Sequence, residues 1–228
     1  MEITEKQLRV AALYRQPEHS IAYAYLAGFT YPWEALDGLS DFIRGLGATL
    51  SPAEYDHPAD DVWIAKTAAV SPSAHIGGPL IVCPEAQIRH CAFIRGSAIV
   101  GAGAVVGNST ELKNCILFDG VQVPHFNYVG DSVLGYKAHM GAGAVTSNVK
   151  SDKTPVSIRC GSFAVETGRK KCGAMLGDLV EVGCNSVLNP GTVIGCGSRV
   201  YPLSSVRGFV PENCIYKTAS EIAEIRKN

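Results

Sequence analysis

The sequence predicts a mainly β protein: a parallel β-helix of hexapeptide repeats with a small N-terminal helical cap and a short C-terminal helix. The first observation is period. Ile64, Val70, Ile76, Val82, Ile88, Ile94, Val100, Val106, Leu112 and Phe118 fall six apart without interruption, and the phase returns at Leu134, Met140 and Thr146 and again from Leu176 to Val206. The second is the small side chain four residues after most of these, as at Ala68, Ala86, Ala92, Ala98, Ala104 and Thr110. The third is a glycine directly after many of them (Gly77, Gly101, Gly107, Gly135, Gly141, Gly177, Gly183, Gly195). A six-residue unit is too short for a helix pair or a propeller blade; it makes one short strand, and three such strands close a triangular coil. About nineteen hexads predict six to seven coils. Branched residues fill the prism, small residues let coils approach, and the glycines take the tight turns.

In chain order, residues 1–60 read as helical and non-repetitive. Thr4 with Gln7 fits a capping box opening a helix to about Tyr14; Ser20 caps a second segment that ends at Gly28; Tyr31-Pro32-Trp33 opens a third and Asp41–Leu46 a fourth. The aromatics gathered here, Tyr14, Tyr23, Tyr25, Phe29, Tyr31, Trp33, Phe42 and Tyr55, suit a cap that packs on itself and on its neighbour. Residues 61–218 form the β-helix. It is interrupted at Val123–Tyr128, where the phase slips and the coil bulges, and at 149–175, a polar insertion long enough to carry a function. The insertion holds Lys150, Lys153, Arg159, Arg169, Lys170 and Lys171, which would either meet a phosphate or lie on a solvated loop. Ser205–Asn213 reads as a turn region. Thr218 with Glu221 then opens a helix over 219–228 that covers the edge of the last coil.

Bulk composition narrows the function. With 20 basic and 21 acidic residues there is no electrostatic footprint for nucleic acid or an anionic membrane. No apolar run reaches the roughly 18 residues of a membrane span, and the charged MEITEKQLRV start lacks a signal-peptide core. The eight cysteines form no C-x-x-C pair, so they read as reduced thiols in a cytoplasmic protein.

The candidate chemistry lies in Gly107–Asn148, where the repeat carries residues that stacking does not require. Three hexads make a coil of about eighteen residues, so Arg95 and Lys113 should lie above one another. Two stacked cations repel unless an anion sits between them, and phosphate is the natural one. Glu111 shares a coil with Lys113, and His125 follows at the break. A carboxylate beside a histidine orients it and stabilises its conjugate acid, as suits a general base near neutral pH. Gly141-Ala142-Gly143 offers small residues and N–H groups for a thin ligand and an oxyanion. His75, His90, His125 and His139 are fourteen or more residues apart, which disfavours metal.

These residues carry a resemblance. GNSTELKN, HFNYVGDSVLG and GAGAVTSN resemble the acetyltransferase half of the GlmU family, the bifunctional N-acetylglucosamine-1-phosphate uridyltransferase/glucosamine-1-phosphate acetyltransferases, most closely over Ile94–Asn148 and more loosely over Gly177–Val206. The resemblance implies a left-handed coil and an acetyl-CoA-dependent N-acetyltransferase in the UDP-N-acetylglucosamine route, with acetyl-CoA as co-substrate and no metal in the catalytic step. It implies a homotrimer with sites between neighbouring subunits, and an amino-sugar phosphate, or a nucleotide amino sugar, as acceptor. By the same resemblance His125 is the base, Glu111 its partner and Ala142 the backbone donor to the thioester oxygen. Arg95, Lys113, Tyr128 and Asn148 bind the acceptor, together with His139, which replaces an asparagine. Ala142, Cys184 and Pro202 line the acyl-CoA groove, the last two in place of serine and alanine. Lys150 or Lys153 stands in for a lysine that follows the asparagine. The glycine-rich nucleotidyltransferase motif is missing from the start of this sequence, so uridylyl transfer is not expected. The alternative is a non-catalytic sugar-phosphate or nucleotide-sugar binding protein with an altered acyl-CoA groove.

Overall fold

The computed structural model describes residues 3–225. From Val62 the chain winds as a left-handed parallel β-helix with three faces. The first face stacks Val62–Ala65, Leu80–Val82, Ala98–Val100, Cys115–Leu117, Ser132–Leu134, Ala174–Leu176, Thr192–Ile194 and Phe209–Val210. The second runs from Ala69–Val70 through Gln87–Ile88, Val105–Asn108, Gln122–His125, His139–Met140, Glu181–Val182 and Arg199–Val200 to Cys214–Thr218. The third begins at His75–Ile76 and Phe93–Ile94 and ends at Val187–Leu188 and Ser205–Val206. Inward residues such as Ile88, Ile94, Val106, Leu112, Leu188 and Val206 are almost wholly buried, as the period-six pattern requires.

Several expectations change. The phase does not slip at Val123–Tyr128: Val123 pairs with Val106 and Val129 with Leu112 in regular ladders, so His125 sits on an ordinary strand rather than a bulge. The slip lies between the third and first faces. Ile94 pairs with Leu112, eighteen residues on, but Val100 pairs with Leu117, only seventeen on. One residue is lost at the corner occupied by Asn114, and Phe118 falls just beyond the ladder position its spacing suggested. The turn region expected at Ser205–Asn213 contributes Ser205–Val206 and Phe209–Val210 to the ladders, so the stack exceeds six to seven coils.

The glycines also divide their labour differently. Gly107 and Gly183 stand where the next coil comes closest: a Cβ would fall 1.6 Å from the Pro124 carbonyl oxygen in one case and 2.4 Å from the Pro202 nitrogen in the other. The left-handed turn positions are taken two residues later, by Gly103, Gly120 and Gly143 and by non-glycine residues such as Lys137 and Asn185.

The first face is buried on both sides. Several of its strands are continuous apolar triplets (Leu80–Val82, Ala98–Val100, Ala174–Leu176), and Ile81, Ile99, Ile116, Val133, Met175 and Val193 are buried on its outer side, which the N-terminal cap covers. The cap is made of short pieces, with helices at Val10–Leu13, Tyr23–Leu26 and Leu39–Gly47 and 3₁₀ turns between them. The Thr4 N–H donates to Gln7 Oε1 (2.9 Å), but the turn it opens is a 3₁₀ turn over Glu5–Leu8 rather than a long helix. Tyr14 anchors the cap, packing its ring 5.0 Å from Phe118 and donating to the Val133 carbonyl.

Residues 149–173 leave the stack at the corner between third and first faces and return at Ala174. Within them Ser157–Cys160 and Phe163–Glu166 form an antiparallel hairpin, with Val156, Ile158 and Cys160 buried. The C-terminal helix expected over 219–228 is not formed where the chain is described. Glu221–Glu224 is a strand paired antiparallel with Cys214–Thr218, and residues 226–228 lie outside the described residues. Pairing satisfies the edge of the second face, which overrides a helix-compatible sequence.

Candidate active site

The corner between the second and third faces carries His125. Backbone bonds fix its register: Phe126 N–H donates to Asn108 O (2.8 Å), Gly143 N–H to His125 O (3.0 Å), Asn185 N–H to Ala142 O (2.8 Å) and Leu203 N–H to Cys184 O (2.9 Å). Asn108, His125, Ala142, Cys184 and Pro202 therefore stand in one column, one per coil, about 4.8 Å apart. After each comes a residue in the left-handed region, which turns the chain onto the third face (Ser109, Phe126, Gly143, Asn185, Leu203). His125 is exposed, and its ring takes part in no hydrogen bond or ion pair among the described residues. Neither do the Ala142 and Cys184 N–H groups find an acceptor there. Pro202 has no N–H to offer. The column thus presents a free imidazole followed by two free amide donors.

The adjoining third face holds the polar cluster. Arg95 and Lys113 occupy the same register on successive coils, as the spacing predicts. Each already has its own carboxylate. Arg95 Nη1 lies 2.8 Å from Glu111 Oε1, and that hydrogen bond is the main cause holding the guanidinium pKa above its ordinary value. Lys113 Nζ lies 3.5 Å from Asp131 Oδ2. Glu111, expected beside His125, is instead engaged by Arg95 within this chain.

Tyr128 and Asn148 join the cluster. Asn148 Nδ2 donates to the Tyr128 hydroxyl (3.1 Å) and to Asp131 Oδ2 (2.5 Å). Burial, then the charges of Asp131 and Glu111, push the Tyr128 pKa up. The phenol stays neutral near pH 7, and because its oxygen accepts from Asn148, its own proton remains free for a ligand.

Sequence reasoning missed Asp131. It is 2% exposed, occupies a left-handed corner, and accepts from Asn114 Nδ2 (2.8 Å) and Asn148 Nδ2 while facing Lys113. A signal existed. Val129 and Leu134 are five apart where the repeat calls for six, and the acid stands in that shortened interval. The insertion departs from the same corner: Cys172 N–H donates to Asn148 O (3.0 Å) and Gly173 N–H to Asp131 O (2.8 Å).

Other expected residues lie elsewhere. His139 is on the second face, its Nδ1 2.7 Å from Glu181 Oε2, beside a cleft of about 430 Å³ shared with Gln122 and Lys137. It is on a different face from Arg95, Lys113 and Tyr128 of the same chain. Lys150 is bound within its own turn, to Thr154 Oγ1 (2.6 Å) and Asp152. Lys153 is exposed at the tip of that turn.

The profile of the family described as the GMPPB C-terminal domain matches residues 76–195. The bifunctional protein GlmU of Methanococcus maripaludis is 28% identical over 202 residues, 87% of this chain and 49% of that protein. The chain thus spans about half the length of this curated relative. The putative uncharacterized acetyltransferase YaiX of Escherichia coli is 30% identical over 156 residues, 68% of each chain. Among solved structures, the acetyltransferase domain of PglB from Neisseria gonorrhoeae, in complex with acetyl coenzyme A, aligns over 72% of this chain and 57% of its own at 19% identity, with a TM-score of 0.34. With its hexapeptide β-helix and the matched residues 76–195, the chain belongs to the family of the GMPPB C-terminal domain and is related to the β-helical half of GlmU.

Proposed function

We propose that the protein is an acetyl-CoA-dependent N-acetyltransferase acting on an amino-sugar phosphate such as glucosamine 1-phosphate, or on a nucleotide amino sugar. The observation that carries this is the corner column: a free imidazole at His125, then the unpaired N–H groups of Ala142 and Cys184 one and two coils on. In this reading the amine attacks the thioester carbonyl, forming the C–N bond. His125 takes the amine proton, the oxyanion is held by the Ala142 N–H, and collapse breaks the C–S bond with the proton passing to the CoA sulfur. Arg95, Lys113, Tyr128 and Asn148 hold the phosphorylated acceptor. Arg95 and Lys113 then exchange part of their carboxylate contact for phosphate, and Glu111, once released from Arg95, is available to orient the imidazole.

The site is open in one chain. Phe93, Phe126, Val187 and Leu203, exposed by 38–79%, flank the same corner, an apolar ridge that suits burial by a second copy. We place the site between neighbouring subunits of a homotrimer, with the His139–Glu181 pair of one copy facing the third-face cluster of the next. The name of one relative supports the chemistry: YaiX is called a putative uncharacterized acetyltransferase.

The experiment is incubation of the protein with acetyl-CoA and glucosamine 1-phosphate, following free CoA thiol and N-acetylated product. Release of CoA that depends on the amino sugar is the expected result. No release while sugar-phosphate binding persists would refute the enzyme and leave a sugar-phosphate binding protein.

A further inference from the structure

The hairpin in the 149–173 insertion builds a cleft that the acceptor site does not use. It folds back over the last coils, where Gly208, at φ +77°, allows the Arg159 backbone to approach: a Cβ there would fall 2.4 Å from the Arg159 carbonyl oxygen and 3.4 Å from its Cβ. Arg159 is thereby held beside Arg207. Both line a cleft of about 510 Å³, together with Asn189 and Ser205 on the third face and Phe209, Tyr216 and Ile222 on its apolar side. Among the described residues no carboxylate lines it. Neither guanidinium has a hydrogen-bond or ion-pair partner among the described residues, whereas Arg169 of the same insertion is paired with Asp37. Two adjacent unpaired guanidinium groups repel one another, and their planar donor sets match phosphate oxygens.

The cleft also continues the acceptor face. Ser147 N–H donates to Leu188 O and Asn189 N–H to Val206 O, so Lys113, Gly130, Ser147, Asn189 and Arg207 stand in one column. Four rungs separate Lys113 from Arg207, about 19 Å at the usual strand spacing. The residues between them are small or uncharged.

We propose that Arg159 and Arg207 form a second anion site, which binds a phosphate or diphosphate group attached to an apolar or aromatic moiety lying on Phe209, Tyr216 and Ile222. The phosphate could arrive on the nucleotide end of acyl-CoA, in which case the inference rests on the function proposed above, or as a separate phosphorylated ligand. Binding of coenzyme A and of inorganic pyrophosphate to the full chain, by titration calorimetry, distinguishes these sources. Arg159→Ala and Arg207→Ala should each weaken binding of the relevant probe by about tenfold, with unchanged melting temperature. Loss with both probes assigns the cleft to the nucleotide end of coenzyme A. Loss with pyrophosphate alone assigns it to a separate ligand, and that arm stands even if the protein does not bind coenzyme A at all. If the double substitution leaves both affinities within twofold of the parent, or if neither probe binds the parent protein, the proposal is overturned. Should the variants melt early, Arg207→Gln, which keeps the side-chain bulk over the cleft, repeats the test.

Discussion

Asp131 governs what the polar groups of the third face can do. It is a buried carboxylate that fixes Asn114, Asn148 and, less closely, Lys113, and through Asn148 it sets the position of the Tyr128 hydroxyl. Removing one partner of a buried polar network leaves the others unsatisfied. Asp131→Ala should therefore cost about 2–3 kcal/mol in urea unfolding; a change below about 0.5 kcal/mol would show that Asp131 is not the hub. Tyr128 gives a pH prediction. Its folded pKa is raised by burial and by neighbouring negative charge, so the neutral phenol's contribution to stability is complete below pH 10 and is lost as pH rises through the folded value. Ultraviolet titration of the protein against a Tyr128→Phe variant should show this phenol ionising above 10; ionisation below 10 would contradict the assignment. The sequence made Arg95, Lys113 and His125 visible because each breaks the repeat with a group that stacking does not need. It hid Asp131, because an acid at a turn looks like any solvated corner until the shortened coil is seen to bury it.

Elements show where periodicity suffices and where it does not. Period six located the inward rows, because each face of a narrow prism admits only one inward residue per short strand. It could not assign the glycines. Gly107, directly after Val106, faces the Pro124 carbonyl, whereas Gly103, three residues after Val100, faces open space. Gly107→Ala should abolish folding or cost more than about 3 kcal/mol, whereas Gly103→Ala, strained only by its positive φ, should cost about 1–2 kcal/mol. Thermal or urea unfolding of the pair checks this; equal costs would refute the division between coil contact and turn. The C-terminal segment was misread because Thr218 and Glu221 satisfy a capping pattern, while the edge of the second face offers unpaired backbone groups that a strand can meet. The cap itself is expected from its aromatics, but the face it covers is not: Leu80–Val82, Ala98–Val100 and Ala174–Leu176 are buried on both sides, and a period-six reading assigns only their inward residue.

At the scale of the whole molecule, the three faces have separate duties. The first is closed by the N-terminal cap. The second carries the His139–Glu181 pair, and the third carries the acceptor cluster, so the two halves of the proposed site face different directions. In the proposed homotrimer one copy's second face would meet the next copy's third face, and that contact would cover the exposed ridge of Phe93, Phe126, Val187 and Leu203. Sedimentation equilibrium should give three chains per particle, and Phe126→Glu with Leu203→Glu should dissociate it; a monomeric parent protein would contradict the composite site. The proposed reaction has His125 take the proton from the attacking amine. Its most direct test is the rate of acetyl transfer from acetyl-CoA to glucosamine 1-phosphate by His125→Ala, compared with the parent protein at matched oligomeric state and melting temperature. A fall of about 10²–10⁴-fold in kcat is the predicted result, and a variant that transfers acetyl groups at the parent rate would contradict it.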